Sequence, residues 1–254
     1  MQLPRDYTCG NLDTIIIFYL MYSLKYKVTT STCDSNGRLK LFSALQMMQD
    51  CSEMWIDSEP TVKHYFAQQN MTQLLATRQV EVVRLPEFKE DLTVTTSVYE
   101  VKPMFGFRNT FIYDAQGEPC FKTWSMGAFV DLATGKLKRI DDATIASIAI
   151  DPQQEMHYRD RRIIVPKESA VAHPPVPVMR ADIDYNKHMN NACYVRIAME
   201  LLPSDFVVKG MRMEYRVPAK LGDELTPTVY DNGDTIIVSL LTGTETSAII
   251  EFSR

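Results

Sequence analysis

Alternation of apolar and polar residues, punctuated by turns, runs through most of the chain. "RQVEVVRLP" (Arg78 to Pro86) and "LTVTTSVYEV" (Leu92 to Val101) are rich in β-branched residues, which suit a pleated, half-buried surface. "FRNTFIYDAQGEPCFKTWSMGAFVDLATGK" predicts two strands around a turn at Asp114-Ala115-Gln116-Gly117, with a second turn near Thr134-Gly135. The last third repeats the style in "GMRMEYRVPA", "ELTPTVYDNGDTIIVSLLTG" and "TSAIIEFSR", where Asn232-Gly233 signals a tight hairpin.

Two segments keep a helical period instead. In "KLFSALQMMQDCSEMWID" the positions Leu41, Ala44, Leu45, Met48, Cys51 and Trp55 share one helix face. "NACYVRIAMELL" (Asn191 to Leu202) is apolar almost all round, which predicts a nearly buried helix.

Related text precedes and follows both helices. "DSNGRL" (Asp34 to Leu39) matches "DYNKHM" (Asp184 to Met189), with Arg38 opposite His188, and "VEVVRLPEFKEDLT" aligns with "MEYRVPAKLGDELT". The same order in both halves indicates a duplicated strand–helix–strands unit. The expected fold class is therefore α+β, an antiparallel sheet wrapped around a helix, made twice. The expected boundaries are residues 22–150 and 179–254 for the two units, with 151–178 as a proline-bearing linker. Residues 1–21 form an N-terminal extension whose apolar run "TIIIFYLMY" is far shorter than the roughly 20 residues a membrane span needs. It also lacks the features of a secretory signal, so a buried strand or an appendage outside the fold is expected there, and deletion of Met1 to Leu20 is expected to be tolerated.

Composition narrows the functions. A formal net charge of -5 supplies no overall basic field for nucleic acid or an anionic membrane. Arg159, Arg161, Arg162 and Lys167 form either a local basic patch or a solvated linker. Five scattered cysteines without a C-x-x-C pair argue against a disulfide framework or zinc site and suit a reducing, cytoplasmic compartment.

The chemistry concentrates in "DIDYNKHMNN", Asp182 to Asn191, directly before the second helix. Capping is one reading: Asn190 or Asn186 satisfies the free N–H groups of the first helical turn, and the aspartates favour its positive end. Catalysis is the other. The same free N–H groups can hold an oxyanion while histidine, carboxylate and amide activate water beside it.

"ADIDYNKHMNNACYV" resembles the Asp-x-Asn-x-His-x-Asn-Asn signature of the acyl-acyl-carrier-protein (acyl-ACP) thioesterases, double hotdog proteins. "FRNTFIYDAQGEPCFKTWSMGAFVDLATGKLKRI" is similar to that family's Phe-x-Arg…Gly…Trp…Asp-x-x-Thr-x-Lys pattern, and "YRVPAKLGDEL" resembles the strand and turn after its second helix. The resemblance extends from about Tyr22 to the C-terminus. It implies a tandem hotdog that hydrolyses fatty acyl-ACP in fatty acid biosynthesis, in the cytoplasm and without a cofactor. Its partner is acylated acyl carrier protein, with no nucleic acid and no stable membrane association; a homodimer is allowed rather than required. Carried over by position, Asn186 holds water or the thioester carbonyl, His188 polarises it or shuttles the proton, and Asp184 orients both. Asn190 and Asn191 fall within the same signature and are expected at the substrate. The first half keeps Asp34 and Asn36 but has Arg38 at the histidine position, which implies loss of catalysis there. The first unit shelters the acyl chain, and Met47, Met48 and Met54 either line that tunnel or serve as core packing.

One departure stands out. Plant members carry glutamate then cysteine where this chain has Pro218 and Ala219. The acidic participant is therefore absent or supplied elsewhere, with Glu214 and Asp223 as candidates; alternation places Glu214 on the same face as Pro218. Two other functions compete: an acyl-coenzyme A thioesterase of the hotdog class, and a non-catalytic acyl-thioester sensor. No helix-turn-helix module is visible for the latter.

Overall fold

The computed structural model describes residues 21–168 and 170–254; the run "TIIIFYL" lies outside them. The first half contains β1 (Tyr22–Lys27), α1 (Leu41–Ser58), α2 (Pro60–Gln69), β2 (Met71–Val82), β3 (Asp91–Lys102), β4 (Phe105–Tyr113) and β5 (Pro119–Asp131). A short α3 (Asp142–Ser147) follows. The second half holds β6 (Val171–Ala172), β7 (Val176–Pro177), α4 (Asn191–Met199), β8 (Gly210–Tyr215), β9 (Glu224–Asp231), β10 (Thr235–Thr242) and β11 (Glu245–Ser253).

The eleven strands among the described residues join one sheet, in the order β1-β3-β4-β5-β2-β8-β11-β10-β9-β6, with β7 also on β9. The order reads as one motif and its mirror: β1, β3, β4, β5, β2 on one side correspond to β6, β9, β10, β11, β8 on the other. Two separate sheets were expected, and the structure corrects this. Each half ends in a strand with unpaired N–H and C=O groups, β2 and β8, and these pair antiparallel from Thr77 opposite Glu214 to Glu81 opposite Gly210. The Thr77 hydroxyl adds a bond to the Met213 carbonyl at 2.8 Å.

α1 packs on β1, β3 and β4, α4 packs on β10 and β11, and the two helices touch each other. The expected face of α1 is buried at Leu41, Ala44, Leu45, Met48 and Cys51. α4 is shorter than its apolar text, ending at Met199, because Pro203 disfavours helix in the residue before it.

Residues 154–163 cross the sheet rather than hang in solvent. The Gln79 side chain donates to the His157 carbonyl at 2.5 Å and accepts the Arg159 N–H at 2.8 Å, while Asn109 accepts the Gln154 N–H at 3.0 Å. Ile163 is buried with Ile237 and Ile249. Further along, the expected linker supplies β6 and β7 to the sheet edge. Among the described residues no helix is long and apolar enough to cross a membrane.

Candidate active site

The polar run before α4 folds as a tight turn. Asp184 N–H donates to the His188 carbonyl at 3.0 Å, Lys187 N–H to the Asp184 carbonyl at 3.0 Å, and Asn186 N–H to Asp184 Oδ1 at 2.9 Å. Lys187 takes the left-handed conformation this turn demands, with φ 63°. The first half builds the same turn. Asp34 N–H donates to the Arg38 carbonyl at 2.7 Å, Gly37 N–H to the Asp34 carbonyl at 3.1 Å, and Asn36 N–H to Asp34 Oδ1 at 2.8 Å. Gly37, with φ 76°, stands where Lys187 does. The duplication seen in the text is thus a duplication of hydrogen bonds.

Asn190 is the helix cap. Its side chain accepts the Ala192 N–H at 3.0 Å and its carbonyl accepts the Cys193 N–H at 2.9 Å. Asp182 is structural too: it pairs with Arg196 at 2.6 Å and accepts the Met179 N–H at 2.9 Å. Tyr215 donates to the Asn191 carbonyl at 3.1 Å, and the Tyr194 hydroxyl accepts the Ala219 N–H at 2.8 Å.

Asp184, Asn186 and His188 lie together on the wall of a cleft of about 540 Å³. Asn191 joins them there, whereas Asn190 does not. The opposite wall comes from the first half: Gln49, Ser52, Glu53 and Ile56 of α1, with residues of β2 and β5. The cleft therefore spans both halves. By contrast, the corresponding first-half turn at Asp34, Asn36 and Arg38 does not border it. Of the three methionines expected there, Met47 and Met48 are packed in the main apolar core and Met54 is half exposed on α1. None lines the cleft. The α1 face that does so is the polar one, which in sequence resembles an ordinary solvated face.

Burial sets the electrostatics. It raises the Glu53 carboxyl, assisted by the like charge of Asp184 and opposed by hydrogen bonds from Gln49 and Tyr185. It also lowers the Arg108 guanidinium to about 10 and pushes the Cys193 thiol up to about 11, which makes that cysteine a poor nucleophile.

Comparison with known proteins supplies the family. Residues 19–148 match the acyl-ACP thioesterase N-terminal domain and residues 166–248 the acyl-ACP thioesterase C-terminal domain. The chain belongs to the acyl-ACP thioesterase family. It is accordingly a thioester hydrolase acting on acyl-ACP. Its fold is similar to that of an acyl-ACP thioesterase from Bacteroides thetaiotaomicron, with a TM-score of 0.81 at 20% identity over 92% of this chain and 97% of that one. It is also similar to a 12:0-ACP thioesterase from Umbellularia californica, with a TM-score of 0.78 at 14% identity over 96% and 99% of the two chains. A search of curated protein sequences found no match.

Pro218, where the resemblance led us to expect a glutamate, lines the cleft of this thioesterase and carries no ionisable group. Neither expected substitute borders it. Glu214 accepts the Ile163 N–H and pairs with Arg216 at 3.2 Å; Arg216 borders the cleft but Glu214 does not. The alternation that placed it beside Pro218 fails because β8 ends at Tyr215, after which Arg216, Val217 and Pro218 border the cleft in succession. Asp223 accepts the Lys220 N–H at 2.8 Å in a turn. Glu214→Gln and Asp223→Asn should each cost less than about tenfold in kcat/KM, under roughly 1.4 kcal/mol of barrier; a larger loss measured with acyl-ACP would give either carboxylate a catalytic role. The carboxylates that do line the cleft are Asp184 and Glu53. Sequence reasoning missed Glu53, whose one signal is its helical spacing from Gln49, Ser52 and Ile56.

Lys27 pairs with Asp91 at 2.5 Å on the β1 edge, whereas Arg159 pairs with Glu251 at 2.9 Å near the middle of the sheet.

Proposed function

We propose that Asp184, Asn186 and His188 hydrolyse the acyl-ACP thioester at the cleft between two hotdog units, releasing free fatty acid and the carrier thiol. The observation carrying this reading is that one turn presents all three to a cleft walled by both halves. Water adds to the carbonyl carbon, the carbon–sulfur bond breaks, and the sulfur leaves with a proton. His188 accepts the proton of the attacking water and returns it to sulfur. Asn186 positions the water or the carbonyl, and Asp184, beside both on the cleft wall, supplies the negative charge that steadies the proton transfer. Capping by Asn190 occupies the Ala192 and Cys193 N–H groups. The Asn191 N–H remains to receive the oxyanion at the start of α4. The repeated strand order and repeated turn support a double hotdog, with residues 22–150 sheltering the acyl chain and 179–254 carrying the catalytic turn. Acyl-ACP recognition in the cytoplasm, without membrane attachment, completes the reading.

Steady-state hydrolysis of matched acyl-ACP and acyl-coenzyme A panels tests it. The expected result is turnover of both with higher kcat/KM for acyl-ACP. Exclusive turnover of coenzyme A esters would move the protein to the other hotdog class, and binding without turnover would make it a sensor.

A further inference from the structure

A row of polar side chains interrupts the cleft between apolar lining residues such as Leu74, Leu75, Ala128 and Val130. Ser125 of β5 lies opposite Arg108 of β4 on one side and opposite Arg78 of β2 on the other. Directly opposed residues share a sheet face. Arg108, Ser125 and Arg78 therefore form one row across three strands, the two arginine Cα atoms roughly 10 Å apart at ordinary strand spacing. All three border the cleft, as do Gln49, Ser52 and Gln73 around them.

Both arginine residues are buried, at 4% exposure for Arg78 and 6% for Arg108. Arg108 is partly engaged: it donates to the Ser52 carbonyl at 2.9 Å and stacks on the Trp55 ring at 4.7 Å. Arg78 makes no hydrogen bond or ion pair among the described residues, and its Nε is wholly buried without a partner. Glu53 does not neutralise it by contact, since its carboxyl is taken by Gln49 at 3.1 Å and by Tyr185. A buried donor left unsatisfied costs about 1–3 kcal/mol, and more when charged. Guanidinium only donates, so the missing partner is an acceptor. A saturated chain laid over this row would bury the donors and offer them nothing.

We propose that the acyl group accepted by this cleft carries an oxygen function along its chain (hydroxyl, oxo or carboxylate), received by Arg78 with Arg108 beside it. This rests on the thioester-hydrolysis reading and names its substrate class. Sites built to bond a substrate oxygen discriminate strongly against analogues lacking it, because their polar groups are then left unpaired.

The test uses four acyl-ACP substrates of equal carbon number: decanoyl, β-hydroxydecanoyl, β-oxodecanoyl and decanedioyl. At least one oxygenated substrate should exceed decanoyl by about tenfold or more in kcat/KM. Arg78→Met should erase that preference without lowering the thermal midpoint, because it removes an unpartnered buried charge. Arg78→Gln serves if the methionine variant fails to fold. A preference for decanoyl overturns the proposal, as does an equal loss on all four substrates, which would assign Arg78 to the thioester. If no thioester is turned over, the hydrolytic reading fails separately. Thermal shifts with the free acids then decide: β-hydroxydecanoic, β-oxodecanoic or decanedioic acid should stabilise the wild type more than decanoic acid does, and equal shifts would overturn the inference.

Discussion

Replacing His188 by alanine should lower kcat for acyl-ACP by about 100-fold or more, the usual scale of general acid–base contributions. The fold should survive. The turn uses the His188 backbone carbonyl, which accepts the Asp184 N–H and is retained by alanine. The side chain borders the cleft, and the apolar anchor of the segment is its neighbour, Met189, buried at 3% exposure. Single-turnover hydrolysis together with a thermal melt separates the two effects. A normally folded His188→Ala protein with full activity would remove histidine from the chemistry and return the cluster to capping.

What the sequence disclosed follows from which interactions are local. The α1 core face, the Asn232-Gly233 hairpin and the repeated Asp-x-Asn turn are all encoded within a few residues, and each is present. The β2–β8 junction is not local. It joins residues far apart in sequence, and nothing in "RQVEVV" or "GMRMEY" marks those strands as neighbours. Gln79 and Asn109 read as polar positions on a solvated face; they are buried because residues 154–159 bring backbone partners to them. α2 left signals that were passed over, namely Pro60 in its first turn and Asn70 in left-handed conformation at its end. The cleft was hardest to see. Its polar wall on α1 has the amphipathic signature of a water-facing surface, and of the two roles open to Met47 and Met48 the structure shows core packing.

Asp184→Asn should nearly abolish turnover, while Asp34→Asn, the same change in the twin turn, should leave the rate unchanged. The fold supplies this control. Each aspartate accepts the N–H two residues on, at 2.9 Å for Asp184 and 2.8 Å for Asp34, and an asparagine oxygen can keep that bond. Both substitutions therefore preserve the turn and remove one negative charge. At Asp34 the charge faces Arg38 at 3.7 Å in an exposed pair, an arrangement that contributes little to stability. At Asp184 the charge lies on the cleft wall with Asn186 and His188. On the proposed chemistry a proton passes through His188, and the negative charge of Asp184 on the same wall steadies the positive charge that develops, which a neutral amide cannot do. Rates measured with saturating acyl-ACP, alongside thermal midpoints, distinguish the roles. Equal small losses in both variants would reduce Asp184 to a turn-forming residue. If Glu53→Gln instead proves as damaging as Asp184→Asn was expected to be, the catalytic carboxylate comes from α1 and the first half contributes to the chemistry itself.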